Sequence, residues 1–473
     1  MARRITYSRI YHAQHLHEMI AQSKDSRAAG VVALTLVPLY LLGYLCRVTH
    51  PLFQPARIPP QNAWTLTRED FIEKYLDHNI GSPADSSSLS FLCNRSSIEW
   101  RPNLVLRLDD ANGGIGNVRG NVLDFVYLAI EAGASIVLPT FAARSKTDLS
   151  ALWNGRSAFD TFFDENHFLS TFQAQCPQMT IYKPKKEEDL GPAVPGRYRW
   201  DGMRTDLNPA NTPKAAVEKL NAWLNEQKVD MRDMLLVNVE RTLWDGPDTR
   251  ALPSRIRRDF GGSLRLQTKV RRLAAIITYN LARRFHLPID PRQPYYPNTF
   301  FGAHLRTEKD AANAGWLTEG PHANFVSQTE TYLSQAAEQD LRVIYTASGS
   351  PDHVVLFASK AWATQRANVT HKGDLLFGAD LAELQQLSWD QQALVDYEVL
   401  MRCAYFGGFV KSSFSFNIAI TRNVFAVEEG RNQEKWRLRP EDRDDTCAFD
   451  DGLSKVWGRD DWHESKIPRG MWP

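Results

Sequence analysis

The stretch NLVLRLDDANGGIGNVRGNVLDFVYLAIEAGASIVLPTF, residues 103–141, decides how the chain is read. Alternation begins in NLVLRLDD, the period-2 pattern of a strand. NGGIGNVRGN follows as a glycine-rich loop, VLDFVYLAIEAGA has helical periodicity, and SIVLPTF is a second strand. Strand, loop, helix, strand is a βαβ unit, the building block of parallel sheets.

Working outward, MLLVNVER (234–241) reads as a strand. SLRLQTKVRRLAAIITYNLARRF (263–285) reads as a helix with Leu266, Val270, Leu273, Ile277 and Leu281 along one side. DPRQPYYPN (290–298), with three prolines, predicts a hinge, after which the pattern restarts. A strand at 299–306, a helix at 325–338, a strand at 341–348 and a helix at 351–364 follow. Ser388 with Gln391 three residues later fits a capping box, opening a helix through ALVDYEVLMRCAYF. GFVKSSFSFNIAITRN (408–423) is strand, turn and helix start. Two successive α/β halves predict two Rossmann-like domains facing a cleft, over 64–295 and 296–435. Residues 436–473, rich in Asp, Arg and Trp, predict a charged tail wrapping back onto the body.

The chain of 473 residues suits two domains plus an appendage, and 43% hydrophobic content supports real cores. With 56 basic against 55 acidic residues there is no one-sign field to attract nucleic acid, so no nucleic-acid partner is expected. Arg27 and Arg47 bracket the uncharged run AAGVVALTLVPLYLLGYLC (28–46), long enough for one hydrocarbon core. Arg3, Arg4, Arg9, Lys24 and Arg27 precede it, so 1–27 is expected to be a cytosolic tail and 28–46 a signal anchor. Proline-rich 47–63 then reads as a stem. That topology is a single-pass type II protein of the Golgi or ER membrane with its body in an oxidising lumen. Cys93, Cys176, Cys403 and Cys447 reside there with three possible pairings, although Cys403, within EVLMRCAYF, also suits a buried free thiol. Two sequons, at Asn94 and Asn368, are usable only in such a compartment.

The glycine loop is not a dinucleotide fingerprint. Arg119 stands where a third glycine is needed, and SIVLPTF ends without an acidic ribose ligand. What remains is a tight turn at a helix N-terminus that lets Gly114, Gly116 and Asn117 approach a ligand, or a plain βα turn. In SSFSFN (412–417) the hydroxyls of Ser412, Ser413 and Ser415 precede a helix start, which makes an anion site or an ordinary cap. Asp396, flanked by Leu394, Val395, Tyr397 and Val399, is a buried carboxylate that needs donors. A guanine edge offers two, and a salt bridge to Arg402 is the alternative. In FFGAHLRTEK (300–309), strand alternation would put His304, Arg306 and Glu308 on one face. Arg306 offers a donor fork suited to a diphosphate, His304 can share that ligand and Glu308 can hold the arginine; an ion pair serving only stability is the alternative. No cysteine–histidine spacing suggests a metal site. The single DxD-like string, Asp442-Arg443-Asp444, falls in the charged tail and reads as surface.

In order and context these motifs resemble a known family. HLRTEKD (304–310) resembles the HLRxExD motif of the GDP-fucose protein O-fucosyltransferase-like family, especially its plant-type branch. GGIGNVRGN resembles that family's N-terminal loop, and VDYEVLMRCAYFGGFVKSSFSF its C-terminal block, over roughly residues 100–425. The resemblance implies a GT-B-like, inverting glycosyltransferase that needs no metal or other cofactor, with a GDP-sugar held between domains. It implies that Arg306 neutralises the leaving β-phosphate, His304 helps bind the nucleotide and Asp396 reads the guanine. Ser412, Ser413 and Phe414 would cradle the phosphates, with Gly114, Gly116 and Asn117 facing sugar and acceptor. Val118 and Ala311 depart from the family pattern, where Gln and Met are usual. A base for the acceptor hydroxyl is open among Asp109, Asp110 and Glu308. The expected partners are GDP-fucose or a related nucleotide sugar and a protein or glycan acceptor. The alternatives are another nucleotide-deoxysugar donor, or a non-catalytic, membrane-tethered glycan-binding protein.

Overall fold

A computed structural model describes residues 62–78, 87–108, 111–144, 154–183, 198–200, 212–228, 232–242, 246, 248–249, 252–431, 447–458 and 472–473. The expected cytosolic tail and anchor, the expected stem up to residue 61, the candidate bases Asp109 and Asp110, and the Asp442–Asp444 string lie outside the described residues.

Gln61–Pro473 form one compact unit carrying, among the described residues, two large sheets and a two-stranded ribbon. In the first half, β1 (Arg101–Leu108) and β2 (Ala134–Val137) are followed by a two-stranded antiparallel ribbon, β3 (Phe141–Ala142) with β4 (Arg156–Ser157). Then come β5 (Ile181–Tyr182), β6 (Tyr198–Trp200) and β7 (Leu235–Val239). The five-stranded sheet has the order β5-β2-β1-β7-β6, all parallel. The second half contributes β8 (Phe301–His304), β9 (Val343–Ala347), β10 (Asn368–Thr370), β11 (Tyr405–Phe409), β12 (Cys447–Asp450) and β13 (Ser454–Trp457). Their order is β10-β9-β8-β11-β13-β12, parallel except for the edge strand β12. In both sheets the chain first builds outward on one side of its first strand and later returns to the other side. Crossovers therefore part at β1/β7 and at β8/β11, which opens crevices outside the carboxyl ends of those strands.

Helix α1 (Ile115–Glu131) follows β1 and is buried along nearly its whole length, between its own sheet and later helices of the second half. The expected face of α2 (Thr268–Phe285) is buried at Val270, Leu273, Ile277 and Leu281, with Leu266 buried just before it. Helices α3 (Phe325–Glu338) and α4 (Pro351–Gln365) flank β9 in sequence, as the periodicity predicts. Ser388 and Gln391 make both bonds of the capping box on α5 (Trp389–Leu400), and α6 (Ser413–Glu428) starts at the SSF turn.

Four expectations are corrected. The helix opened by Ser388 stops at Leu400, and Tyr405–Phe409 is a central strand. A parallel strand covered on both faces reads as a continuous apolar run, which periodicity cannot tell from buried helix. The strand expected at 299–306 ends at His304, so Arg306 and Glu308 belong to the turn into the short helix Lys309–Asn313. The proline segment is no free hinge: Arg402, fully buried, donates to the carbonyls of Pro291 and Gln293, and its own carbonyl accepts from Tyr296 N–H. Finally, the charged tail contains sheet, because β12 and β13 complete the second half. The chain does wrap back beyond them. Trp472 is buried against Tyr127 and Phe260, its indole donates to Asp124 (2.8 Å), and Arg119 of α1 and Asn417 of α6 both donate to its carbonyl.

Cys93 is bonded to Cys176, 83 residues away, while Cys403 and Cys447 are buried free thiols. Asn94 and Asn368 are both exposed. No helix among the described residues is long and apolar enough to cross a membrane.

Candidate active site

A cavity of about 500 Å³ lies at the carboxyl ends of β8, β9 and β11, where the second sheet's crossovers part, and the glycine loop after β1 closes its other side. On the first-half wall, Gly113 has φ +94°, and a Cβ there would sit 2.6 Å from Asn117 Nδ2, so this turn needs glycine. Gly114 caps α1, and it lines the cavity with Asn117 and Arg144. Gly116 does not line it. A Cβ on Gly116 would lie 2.5 Å from the Ser413 carbonyl oxygen, so this glycine lets α1 and the start of α6 touch.

His304, the last residue of β8, is buried beneath Phe414, ring centroids 4.6 Å apart. Its Nδ1 lies 2.8 Å from Ser415 Oγ, and that oxygen accepts from Phe409 N–H. Burial is the largest influence on this imidazole and pushes its pKa down to about 4, so it is neutral near pH 7. Ser415 is therefore spent on His304 and fully buried, whereas Ser412, Ser413 and Phe414 reach the cavity. Ser412 is the cap of α6, its hydroxyl accepting from Ser415 N–H.

Arg306 is gripped from two sides. Nη1 donates to Glu308 (2.6 Å) and Asp310 (2.8 Å), and Nη2 donates to Asp310 (2.7 Å). Burial opposes the guanidinium charge, but the two carboxylates outweigh it and hold the pKa above its ordinary value. Burial likewise works against the Glu308 charge, and Arg306 more than compensates, so that carboxyl is held below its ordinary range. Both Glu308 oxygens are occupied, Oε2 by Arg306 and Oε1 by Gly349 N–H (2.6 Å). Such a carboxylate positions an arginine and is a poor proton acceptor.

Asp396, on α5, is 3% exposed and not paired with Arg402, whose nearest carboxylate is Glu398 at 3.7 Å. Tyr345 donates to Oδ1 (2.7 Å) and Lys372 to Oδ2 (2.6 Å). Each oxygen keeps lone-pair capacity for a further donor from the cavity.

Sequence reasoning missed Asp310, Lys372, Tyr345, Arg144, Lys411 and Asp390, all partners or lining of this site. Asp310 carried a signal, standing four residues from Arg306 inside the quoted HLRTEKD. Lys372 and Arg144 carried none, since each comes from a separate crossover. Among the described residues the cavity presents four cations (Arg144, Arg306, Lys372, Lys411) and four carboxylates (Glu308, Asp310, Asp390, Asp396). A phosphate would be bound by local donors here and not by a general positive field. Among the described residues no group of three or more metal-ligating side chains converges.

The family model described as GDP-fucose protein O-fucosyltransferase matches residues 104–425. O-fucosyltransferase 11 of Arabidopsis thaliana is 30% identical over 91 residues, 19% of this chain and 14% of that relative's length. Among solved structures, POFUT1 in complex with GDP-fucose is similar at TM-score 0.42 and 13% identity, covering 69% of this chain and 96% of that one. Fucosyltransferase NodZ from Bradyrhizobium is similar at TM-score 0.36 and 13% identity, covering 69% and 92%.

Proposed function

Because the chain belongs to the GDP-fucose protein O-fucosyltransferase family, we propose that it is an inverting GT-B glycosyltransferase moving fucose from GDP-fucose to a hydroxyl of a protein or glycan. The observation that carries this reading is the division of labour within one cavity: the Tyr345–Asp396–Lys372 cluster at one part, and Arg306, His304 and the α6 N-terminus at another. The buried carboxylate of Asp396 suits the N1–H and exocyclic amine of guanine. Backbone N–H groups at the start of α6, with the Ser412 and Ser413 hydroxyls, suit the diphosphate. Because Ser415 Oγ already accepts from Phe409 N–H, its proton is left for His304 Nδ1, and the neutral imidazole then carries its own proton on Nε2, a donor for a phosphate oxygen.

The reaction breaks the bond between the anomeric carbon and the β-phosphate oxygen, and that oxygen leaves with the electron pair. Arg306, held by Glu308 and Asp310 at a fixed angle, meets the growing charge without reorganising. Gly114 and Asn117 face the sugar and acceptor from the first half. These groups supply charge stabilisation without a metal, so transfer should survive EDTA. The decisive measurement is calorimetric titration of the protein with GDP, UDP and ADP beside an assay of GDP release from GDP-fucose. Tight GDP binding and GDP release support the reading. Preference for UDP would favour a different nucleotide-deoxysugar donor, and GDP binding without turnover would favour a non-catalytic protein.

We further infer a single-pass type II topology in the Golgi or ER, with 28–46 spanning the membrane and the body in the lumen. The Cys93–Cys176 bond and the exposure of Asn94 and Asn368 support an oxidising, glycosylating compartment. A glycosylation reporter at the C-terminus should be modified and one at the N-terminus should not.

A further inference from the structure

The cavity holds four carboxylates among the described residues, and three accept hydrogen bonds from the protein. Glu308 is shared between Arg306 and Gly349, Asp310 is bound by Arg306 and Ala311 N–H, and Asp396 is bound by Tyr345 and Lys372. Asp390 is the exception. No hydrogen-bond donor among the described residues reaches it, and its nearest cation, Arg144 Nε, stands 3.6 Å from Oδ1. That Arg144 Nε is itself buried without a hydrogen-bond partner among the described residues, while the guanidinium lies 5.5 Å from the Trp389 ring. A carboxylate and a guanidinium thus face each other at the cavity wall without a hydrogen bond between them, and both residues line the cavity.

The location is specific. Asp390 occupies the first turn of α5, two residues after the Ser388 cap, and Gln391 beside it donates to the Thr161 carbonyl of the first half (2.9 Å). Arg144 Nη2 lies 3.4 Å from where a Gly114 Cβ would stand, so the pair faces the glycine loop. Asp396 is six residues further along the same helix, about 9 Å of rise away. Arg144 also acts on the charge of Asp310, which Arg306 binds, so the pair lies on the Arg306 side of the cavity and away from Asp396.

We propose that Asp390 is the general base of the transfer, taking the proton of the acceptor hydroxyl while Arg144 orients that oxygen. This rests on the GDP-fucose reading above. The hydroxyl oxygen bonds to the anomeric carbon, the carbon–oxygen bond to the β-phosphate breaks with its electron pair leaving on GDP, and the hydroxyl proton passes to an Asp390 oxygen. Burial raises the Asp390 pKa above the ordinary carboxylate value and Arg144 opposes it, which suits a group that must accept a proton. The other charged groups of the cavity are paired: Arg306 with Glu308 and Asp310, Lys372 with Asp396, and Lys411 with Glu319 outside the cavity. Of the imidazoles, His304 is neutral beneath Phe414, and His371 is bonded to Asp374.

The test uses the whole protein with GDP-fucose, water as acceptor, and azide as a nucleophile that needs no deprotonation. Asp390→Asn should lower GDP release to water by about 10²–10⁴-fold, the usual share of a general base, and leave GDP affinity within about twofold. Azide should accelerate GDP release by Asp390→Asn far more than by the wild type, forming a fucosyl azide. The acid limb of the wild-type pH–rate profile should disappear in the variant, and Asp390→Glu should keep partial activity. Near-normal hydrolysis by Asp390→Asn, or a loss that azide does not repair, overturns the assignment, whereas a wild type that binds GDP and transfers to neither nucleophile refutes the catalytic reading on which it rests. Asp109→Asn and Asp110→Asn are run beside it, and azide rescue of either in place of Asp390→Asn overturns it too. A wild type that does not bind GDP refutes the donor reading instead.

Discussion

Replacing Arg306 by alanine does two separable things. It removes the fixed cation proposed to meet the leaving diphosphate, and it leaves Glu308 and Asp310 facing each other. Side-chain exposures are 13% for Arg306, 6% for Glu308 and 18% for Asp310, so solvent screens this cluster little. Breaking a buried pair by deleting one partner costs about 3–5 kcal/mol, so Arg306→Ala should lower the melting temperature by several degrees. Losing a preorganised donor to a developing anion costs about 2.7–4 kcal/mol, or about 10²–10³ in kcat. The single variant therefore cannot separate the roles. The triple variant Arg306→Ala/Glu308→Gln/Asp310→Asn can, because no charge remains unpaired. It should regain most of the wild-type melting temperature while GDP release at saturating GDP-fucose stays about 10²–10³ below wild type. A triple variant that recovers both stability and turnover would refute the reasoning and reduce Arg306 to a counter-ion.

Other expectations follow from the same contacts. Gly116→Ala should destabilise by about 1–3 kcal/mol and weaken GDP binding, because its Cβ meets the Ser413 backbone at 2.5 Å. Gly114→Ala, whose nearest neighbour is the movable Arg144 tip at 3.4 Å, should be mild by comparison, and equal effects would contradict the packing account. The His304 folded-state pKa of about 4 lies below the ordinary 6.5, so its stability contribution is full above about pH 6.5 and lost as pH falls towards 4. Urea melts across that window should show a shallower pH slope for His304→Gln, and an unchanged slope would count against a buried neutral imidazole. The double replacement Cys93→Ser/Cys176→Ser opens a bond spanning 83 residues and should cost about 2–5 kcal/mol in thermal or denaturant melts, with kcat unchanged in the folded fraction.

The sequence by itself determined the α/β alternation, because the βαβ signal at 103–141 and the caps at Ser388 and Ser412 are local physics: periodicity and hydrogen bonds within a few residues. It also marked His304, Arg306, Asp396, Ser412 and Ser413, since polar side chains in apolar runs stand out without a structure. Only the tertiary fold decided what those groups touch. Periodicity could not separate the end of α5 from β11, because both are buried on all sides. Nor could it show that residues 447–457 add β12 and β13 to the second sheet, a pairing across long sequence separation. The partners that set the chemistry come from separate crossovers brought to one sheet edge: Lys372 to Asp396, Ser415 to His304, Arg144 toward Asp390. A carboxylate's role depends on whether its oxygens are occupied. Glu308 and Asp390 look alike in sequence, and only packing leaves one spent on Arg306 and the other open to the cavity.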